Sequence, residues 1–198
     1  MTTLRPRTSA KLVPTAALGA PALLLLYGLL RLVDGLDGHR GPGWAWNLGH
    51  TFFLVAFVLF AVLLVELWRL LRATAPRQRV LTGVATTLGL AGAAGFLWVI
   101  LGDLFPRLSD AAPLPDPAMA LGPLLFQVGI LTLLVQAATT RPRLLPAWSP
   151  ALVLLGFLPI AVNLDLLPLG AALILVGLLP LHRLTERHPV EGDTGESY

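Results

Sequence analysis

The chain has 198 residues, of which 56% are hydrophobic and 13% are charged, with a mean hydropathy of +0.77 and a formal net charge of +3. Soluble domains carry about 25% charged residues, so this composition excludes an ordinary soluble domain and is typical of a membrane protein. Cysteine is absent, which excludes disulfides, thiolate metal sites and cysteine nucleophiles, and no cofactor is expected.

Six apolar segments predict an all-α membrane protein, a six-helix transmembrane bundle. The bundle forms a single transmembrane domain over residues 1–184. The polar remainder, 185–198, is expected to be a disordered cytoplasmic tail. We interpret the first apolar segment as a retained helix, because it is long for the apolar part of a signal peptide. The predicted helices cover approximately residues 12–33, 45–72, 79–105, 118–139, 149–164 and 166–184.

Two parts of this pattern leave the local structure open. Residues 106–117 contain four prolines, which predicts a non-helical connection. The fifth and sixth segments are each shorter than the ~20 apolar residues of a comfortable crossing. They form either a hairpin that spans a thin region or a re-entrant hairpin, and the spanning hairpin is favoured because lipid does not tolerate exposed irregular backbone.

The distribution of basic residues predicts the orientation. The N-terminus, the turns at 72–79 and 140–148 and the start of the tail carry eleven of the fourteen basic residues, counting those at the helix ends. The positive-inside rule therefore places both termini in the cytoplasm and the chain in the plasma membrane. Because these residues separate apolar runs, they predict topology and not nucleic-acid binding. Basic residues are arginine except Lys11, which is typical of a GC-rich bacterial genome.

The chain also shows a weak internal repeat. Three outward-running helices end on Asp34, Asp103 and Asp165, and the last two share the pattern Asp-Leu-Phe/Leu-Pro. The pattern predicts three αα-hairpins in a parallel pseudo-repeat, an arrangement known among transporters.

Small residues recur at every fourth position of the third helix. Their spacing predicts one narrow face on which another helix backbone packs closely, within the chain or from a partner. The residues of this stripe are Gly83, Thr87, Ala91 and Gly95.

Polar residues gather at the outer helix ends, where ionisable groups at membrane depth indicate a functional site. Asp103 and His50 are the best candidates, because a neutral carboxylic acid beside an imidazole is able to donate a proton. The alternative is that the aspartates are simply solvated. The other candidates at this level are Arg31, Asp34, Asn47, Asn163 and Asp165. At the opposite end, Glu66 lies three residues before Arg69, which favours an ordinary ion pair over an inner half-site for protons or cations.

Three functions remain open, since the sequence contains no G-x-S-x-G or H-E-x-x-H motif. The first is a non-catalytic multi-pass membrane or accessory protein with an outward-facing polar site. The second is an intramembrane enzyme for a lipid or isoprenoid substrate, with Asp103 and His50 above a cavity walled by Trp46, Phe53 and Trp98. The third is a small transporter or proton-coupled permease. The expected partners are the lipid bilayer and either an apolar small molecule or another membrane protein, and not nucleic acid.

Overall fold

The computed structural model describes residues 9–141 and 143–184, and this part of the chain is helical, without strands. The predicted all-helical bundle is confirmed for these residues. The tail from residue 185, predicted to be disordered, lies outside them. The α-helices are α1 (Ser9–Asp34), α2 (Trp44–Thr74), α3 (Arg79–Leu104), α4 (Pro106–Ala111), α5 (Asp116–Thr139), α6 (Trp148–Val162) and α7 (Leu167–Leu178). Short 3-10 turns cover Pro76–Gln78, Leu164–Leu166 and Leu179–Leu184.

Five helices in the described residues are long and apolar enough to cross a membrane. They cover Leu12–Asp34, Trp44–Thr74, Pro76–Leu104, Met119–Thr139 and Leu164–His182. The remaining apolar helix, α6, has 15 residues, which corresponds to about 22 Å at 1.5 Å per residue and is less than a ~30 Å hydrocarbon core. This pattern fits a multi-pass membrane protein.

The connection between α3 and α5 differs from the sequence-based prediction. Residues 106–117 were expected to be non-helical, yet α4 occupies the first half of this stretch. Pro106 stands in the first turn of α4, where its missing N–H leaves no hydrogen bond unmade. The same principle explains why α5 begins at Asp116 with a proline beside it.

Three pairs of helices pack most extensively on each other. The pairs are α1 with α2, α3 with α5, and α6 with α7. Helix α2 joins the first pair to α3, and α1 joins it to α7. The contact between α5 and α6 is much smaller. The three hairpins therefore exist as packing units, whereas their relation by a pseudo-repeat stays a prediction.

Glycines bring α3 and α5 into backbone contact. A Cβ atom on Gly92 would lie 2.2 Å from the backbone nitrogen of Phe126, and one on Gly129 would lie 2.4 Å from the backbone nitrogen of Gly89. No side chain fits at these two positions unless the helices move apart. Close approach of this kind replaces the hydrophobic force that is missing between helices in lipid.

Glycines also bring α6 and α7 into backbone contact. A Cβ atom on Gly170 would lie 2.4 Å from the carbonyl oxygen of Gly156. The hydroxyl of Ser149, which is fully buried, donates a hydrogen bond to the carbonyl of Gly177 across the same interface. Both short helices are thereby held together along their length.

Within the described chain, α3 packs mainly through residues outside the stripe expected from the sequence, and packing of that stripe on a partner stays a prediction. Thr87 and Ala91 are exposed, and a Cβ atom on Gly83 would meet no heavy atom within 4 Å. Only Gly95 approaches α5, because a Cβ atom there would lie 3.4 Å from the Cα of Gly122. A strict four-residue step drifts by about 40° per step around a helix with 3.6 residues per turn, so the stripe leaves the interface. The buried face follows mixed three- and four-residue steps instead.

We expect Gly92→Ala to destabilise the protein, because the new methyl group would clash with the backbone of α5. Overpacking of a tight interface costs about 1–3 kcal/mol. The matched control is Gly83→Ala on the same helix, where the space is open and alanine raises helix propensity by up to about 1 kcal/mol. Thermal unfolding in detergent, followed by tryptophan fluorescence, measures both variants. An equal effect of the two substitutions would contradict the assignment of the packing face.

Candidate functional site

The predicted pair of Asp103 and His50 meets where the C-terminal end of α3 lies beside the N-terminal end of α2. Nε2 of His50 lies 3.4 Å from Oδ2 of Asp103, and Nδ1 lies 2.9 Å from the carbonyl oxygen of Trp46. The imidazole is buried, whereas the carboxylate is 40% exposed. The contact of His50 with Asp103 therefore joins α2 to α3.

Aromatic rings fix the position of His50. The ring centroid of Trp46 lies 4.0 Å from that of His50, and Tyr27 of α1 packs edge-on at 5.3 Å. Trp46 also donates from Nε1 to the carbonyl oxygen of Asp103 at 3.4 Å. Residues of three helices thus hold the imidazole and leave it little freedom to rotate.

The second predicted aspartate, Asp165, belongs to a different ion pair. Its Oδ1 accepts a hydrogen bond from the guanidinium of Arg40 at 2.7 Å and lies 3.7 Å from Nε of Arg31. The backbone N–H of Asp165 donates to Oδ1 of Asn163 at 2.9 Å. The turn between α6 and α7 is consequently attached to α1 and to the loop that follows it. Arg40 was missed in the sequence analysis, because 125 residues separate it from its partner.

The two ion pairs lie close together around Tyr27. A small cavity of about 10 Å³ separates them, a volume comparable to one water molecule. Inside the described part of the chain, Nε of Arg31 and Oδ2 of Asp34 are buried and have no hydrogen-bond partner. The cavity is lined by Tyr27, Arg31, Asp34, Ala45, Trp46 and His50.

Asp103 and Asp165 have different partners among the described residues. Asp103 and Asp165 each face basic groups. Asn47 is exposed, and its backbone carbonyl oxygen accepts a hydrogen bond from the hydroxyl of Thr51. Among the residues that the structure describes, no group of three or more histidine, aspartate or glutamate side chains is placed to hold a metal ion.

A larger apolar cavity of about 450 Å³ lies beside this polar cluster, between α5, α6 and the outer halves of α1–α3. Phenylalanine rings form much of its wall, and the polar members of the described lining are Gln127 and Asn163. Phe53 lines the cavity and stacks on Tyr27 at a centroid distance of 4.3 Å. Phe53, Phe57, Phe60, Phe96, Phe126 and Phe157 are the phenylalanines of the lining.

The predicted catalytic pair does not reach this cavity. Asp103 and His50 are absent from its described lining, as are two of the three expected wall residues, Trp46 and Trp98. The indole of Trp98 instead donates to the carbonyl oxygen of Ala112 at 3.3 Å. Of the three expected wall residues, only Phe53 lines the cavity, because its phenylalanine rings come from four helices whose packing is set by tertiary structure.

At the opposite end of α2, Glu66 is buried and forms an ion pair. Its Oε1 lies 2.5 Å from Nη1 of Arg69, one helical turn later. The guanidinium of Arg72 packs over the ring of Trp68 at 4.9 Å. This geometry agrees with the ordinary ion pair that the three-residue spacing favoured.

Comparisons with known protein families, characterised proteins and solved structures found no match for this chain. The class of this protein is therefore defined by its helical fold and its apolar composition. The class is a helical bundle of apolar helices that fits a multi-pass membrane protein.

We expect Asp165→Asn to loosen the turn between α6 and α7, because the neutral amide loses both ion pairs with α1 and the following loop. Partly exposed ion pairs contribute up to about 1 kcal/mol, so amides of residues 163–167 should exchange about two- to fivefold faster. Hydrogen–deuterium exchange in detergent measures this effect. Asp110→Asn on α4 removes an exposed carboxylate that forms no described ion pair and serves as the control. Unchanged exchange in Asp165→Asn, or equal changes in both variants, would contradict the proposed role.

Proposed function

We propose that this chain is a non-catalytic, multi-pass protein of the plasma membrane that binds an apolar small molecule or lipid chain. The observation that carries the proposal is the cavity of about 450 Å³ with its phenylalanine-rich wall. Small-molecule sites commonly have volumes of about 300–1,000 Å³ and apolar linings with few polar groups. The amides of Gln127 and Asn163 supply those polar groups here.

The shape of the cavity supports entry from the bilayer. Leu124 of α5 and Val162 of α6 line it and are 57% and 83% exposed. The mouth therefore lies at the slight contact between these two helices. A molecule that enters there exchanges lipid neighbours for phenylalanine rings, whose fixed positions favour close dispersion contacts. A single acyl or isoprenoid chain is the chemical class that fits this wall.

Catalysis and transport are less well supported by the same geometry. A general acid must come within hydrogen-bond reach of its substrate, and Asp103 does not line the cavity. Tyr27 and Phe53 stand between His50 and the cavity. Proton or ion transport needs a polar path, whereas Glu66 is occupied by Arg69 and the cavity wall is apolar. In this proposal the outer polar cluster joins helices and carries out no chemistry.

The proposed orientation, with both termini in the cytoplasm, has a direct test because the chain lacks cysteine. Single cysteines are introduced as labelling sites by His39→Cys, in the loop after α1, and by Arg77→Cys, in the turn before α3. We expect a membrane-impermeant maleimide to label His39→Cys in intact cells and Arg77→Cys only after permeabilisation. The reverse pattern would overturn the orientation.

The proposed ligand site is tested by filling its mouth. Ala120→Trp adds an indole at a lining position of α5, while Val128→Trp adds one to the same helix at an exposed position outside the described lining. Organic extraction and mass spectrometry then quantify apolar molecules that co-purify with each protein. We expect the amount of apolar molecule that co-purifies with Ala120→Trp to be at least about tenfold lower than with the wild type, which corresponds to about 1.4 kcal/mol of binding free energy. The amount that co-purifies with Val128→Trp should match the wild type. Equal amounts from all three proteins would refute the proposal.

A further inference from the structure

A second apolar depression lies at the other end of the α5–α6 contact. It is an open groove of about 490 Å³ between the C-terminal half of α5 and the N-terminal half of α6. It is distinct from the phenylalanine-lined cavity, because its α5 residues begin at Leu131 and its α6 residues end at Leu154. The proposed ligand site does not include this groove.

The charged end of the groove is made by two arginines. Arg141 and Arg143 line it together with apolar side chains such as Val135 and Ala151, and no acidic residue is part of the described lining. Among the residues that the structure describes, neither guanidinium forms an ion pair. Within the described part of the chain, the arginines therefore offer a local positive charge, and hydrogen-bond donors without an acidic partner, at the end of an apolar groove.

The level of these arginines corresponds to a membrane–water boundary. They follow the last turn of α5, and Trp148, at the start of α6, is 50% exposed. Tryptophan prefers the headgroup region of a bilayer. The groove then extends from the headgroup level into the hydrocarbon region, where the neighbouring molecules are lipids.

We propose that this groove is a binding site for an anionic phospholipid. The lipid phosphate contacts the guanidinium groups of Arg141 and Arg143, and one acyl chain lies along the groove between α5 and α6. Charge complementarity selects the occupant, because a guanidinium matches the geometry of phosphate oxygens and basic pockets between membrane helices bind anionic headgroups. A zwitterionic lipid of the same chain length lacks the net charge and binds more weakly.

Native mass spectrometry of the full-length protein tests the headgroup contact, with phosphatidylglycerol and phosphatidylcholine of identical acyl chains as probes. We expect the wild type to retain phosphatidylglycerol preferentially. The double variant Arg141→Gln/Arg143→Gln should bind phosphatidylglycerol about 30-fold more weakly. Each basic residue near an anionic headgroup contributes about 1 kcal/mol to the binding free energy, and about 1.4 kcal/mol corresponds to a tenfold change in affinity. The affinity of the double variant for phosphatidylcholine should fall much less, because the choline cation already offsets the charge of that lipid's phosphate.

The matched control is Arg77→Gln/Arg79→Gln, which removes the same charge from the turn before α3, outside the described groove lining. This control should keep the preference of the wild type. An equal loss in the control, or equal retention of both lipids by the wild type, would overturn the proposal.

A third variant tests the groove itself while keeping both arginines. Ala151→Trp places an indole in the groove at an exposed position of α6, where a large side chain is compatible with folding. We expect it to reduce phosphatidylglycerol retention by about tenfold, or 1.4 kcal/mol. Unchanged retention in Ala151→Trp would show that the charges attract lipid without a groove and would refute the site.

Discussion

Backbone contact at glycines is the constraint on which the arrangement of this bundle depends. Gly92 and Gly129 leave no room for a side chain between α3 and α5, and Gly170 leaves none between α6 and α7. Each pair is thereby fixed by its own interface. The contact between α5 and α6 is slight in comparison, and both the phenylalanine-lined cavity and the arginine-ended groove lie along it.

Charged groups at the C-terminal ends of α1 and α3 and in the turn before α7 also connect the helix pairs. The contact of His50 with Asp103 joins α2 to α3, and Asp165 joins the turn before α7 to α1 and to Arg40. Unpaired charges are costly at membrane depth, and both Asp103 and Asp165 are placed beside basic groups. Tyr27 packs on His50 and on Phe53, which links this polar layer to the wall of the cavity.

The sequence alone was sufficient for the features that depend on local composition. Apolar length predicted the helices, and helix-end positions on one side predicted that Asp103 and His50 lie at the same level. The sequence alone did not predict the features that depend on the rotation of each helix about its axis. Most of the stripe through Gly83 does not face α5, because a four-residue step drifts around the helix, and its packing against a partner stays a prediction. The partnership of Arg40 with Asp165 and the convergence of phenylalanines from four helices both require the tertiary fold.

Photo-crosslinking with a diazirine-labelled fatty acid tests the central claim, that the cavity between α5 and α6 holds an apolar chain. After irradiation in membranes, peptide mapping identifies the modified residues. We expect adducts on buried lining residues such as Phe126 and Phe157, and we expect Ala120→Trp to abolish them. Adducts confined to lipid-facing positions such as Val128 and Leu155, unaffected by that substitution, would contradict a ligand-binding cavity.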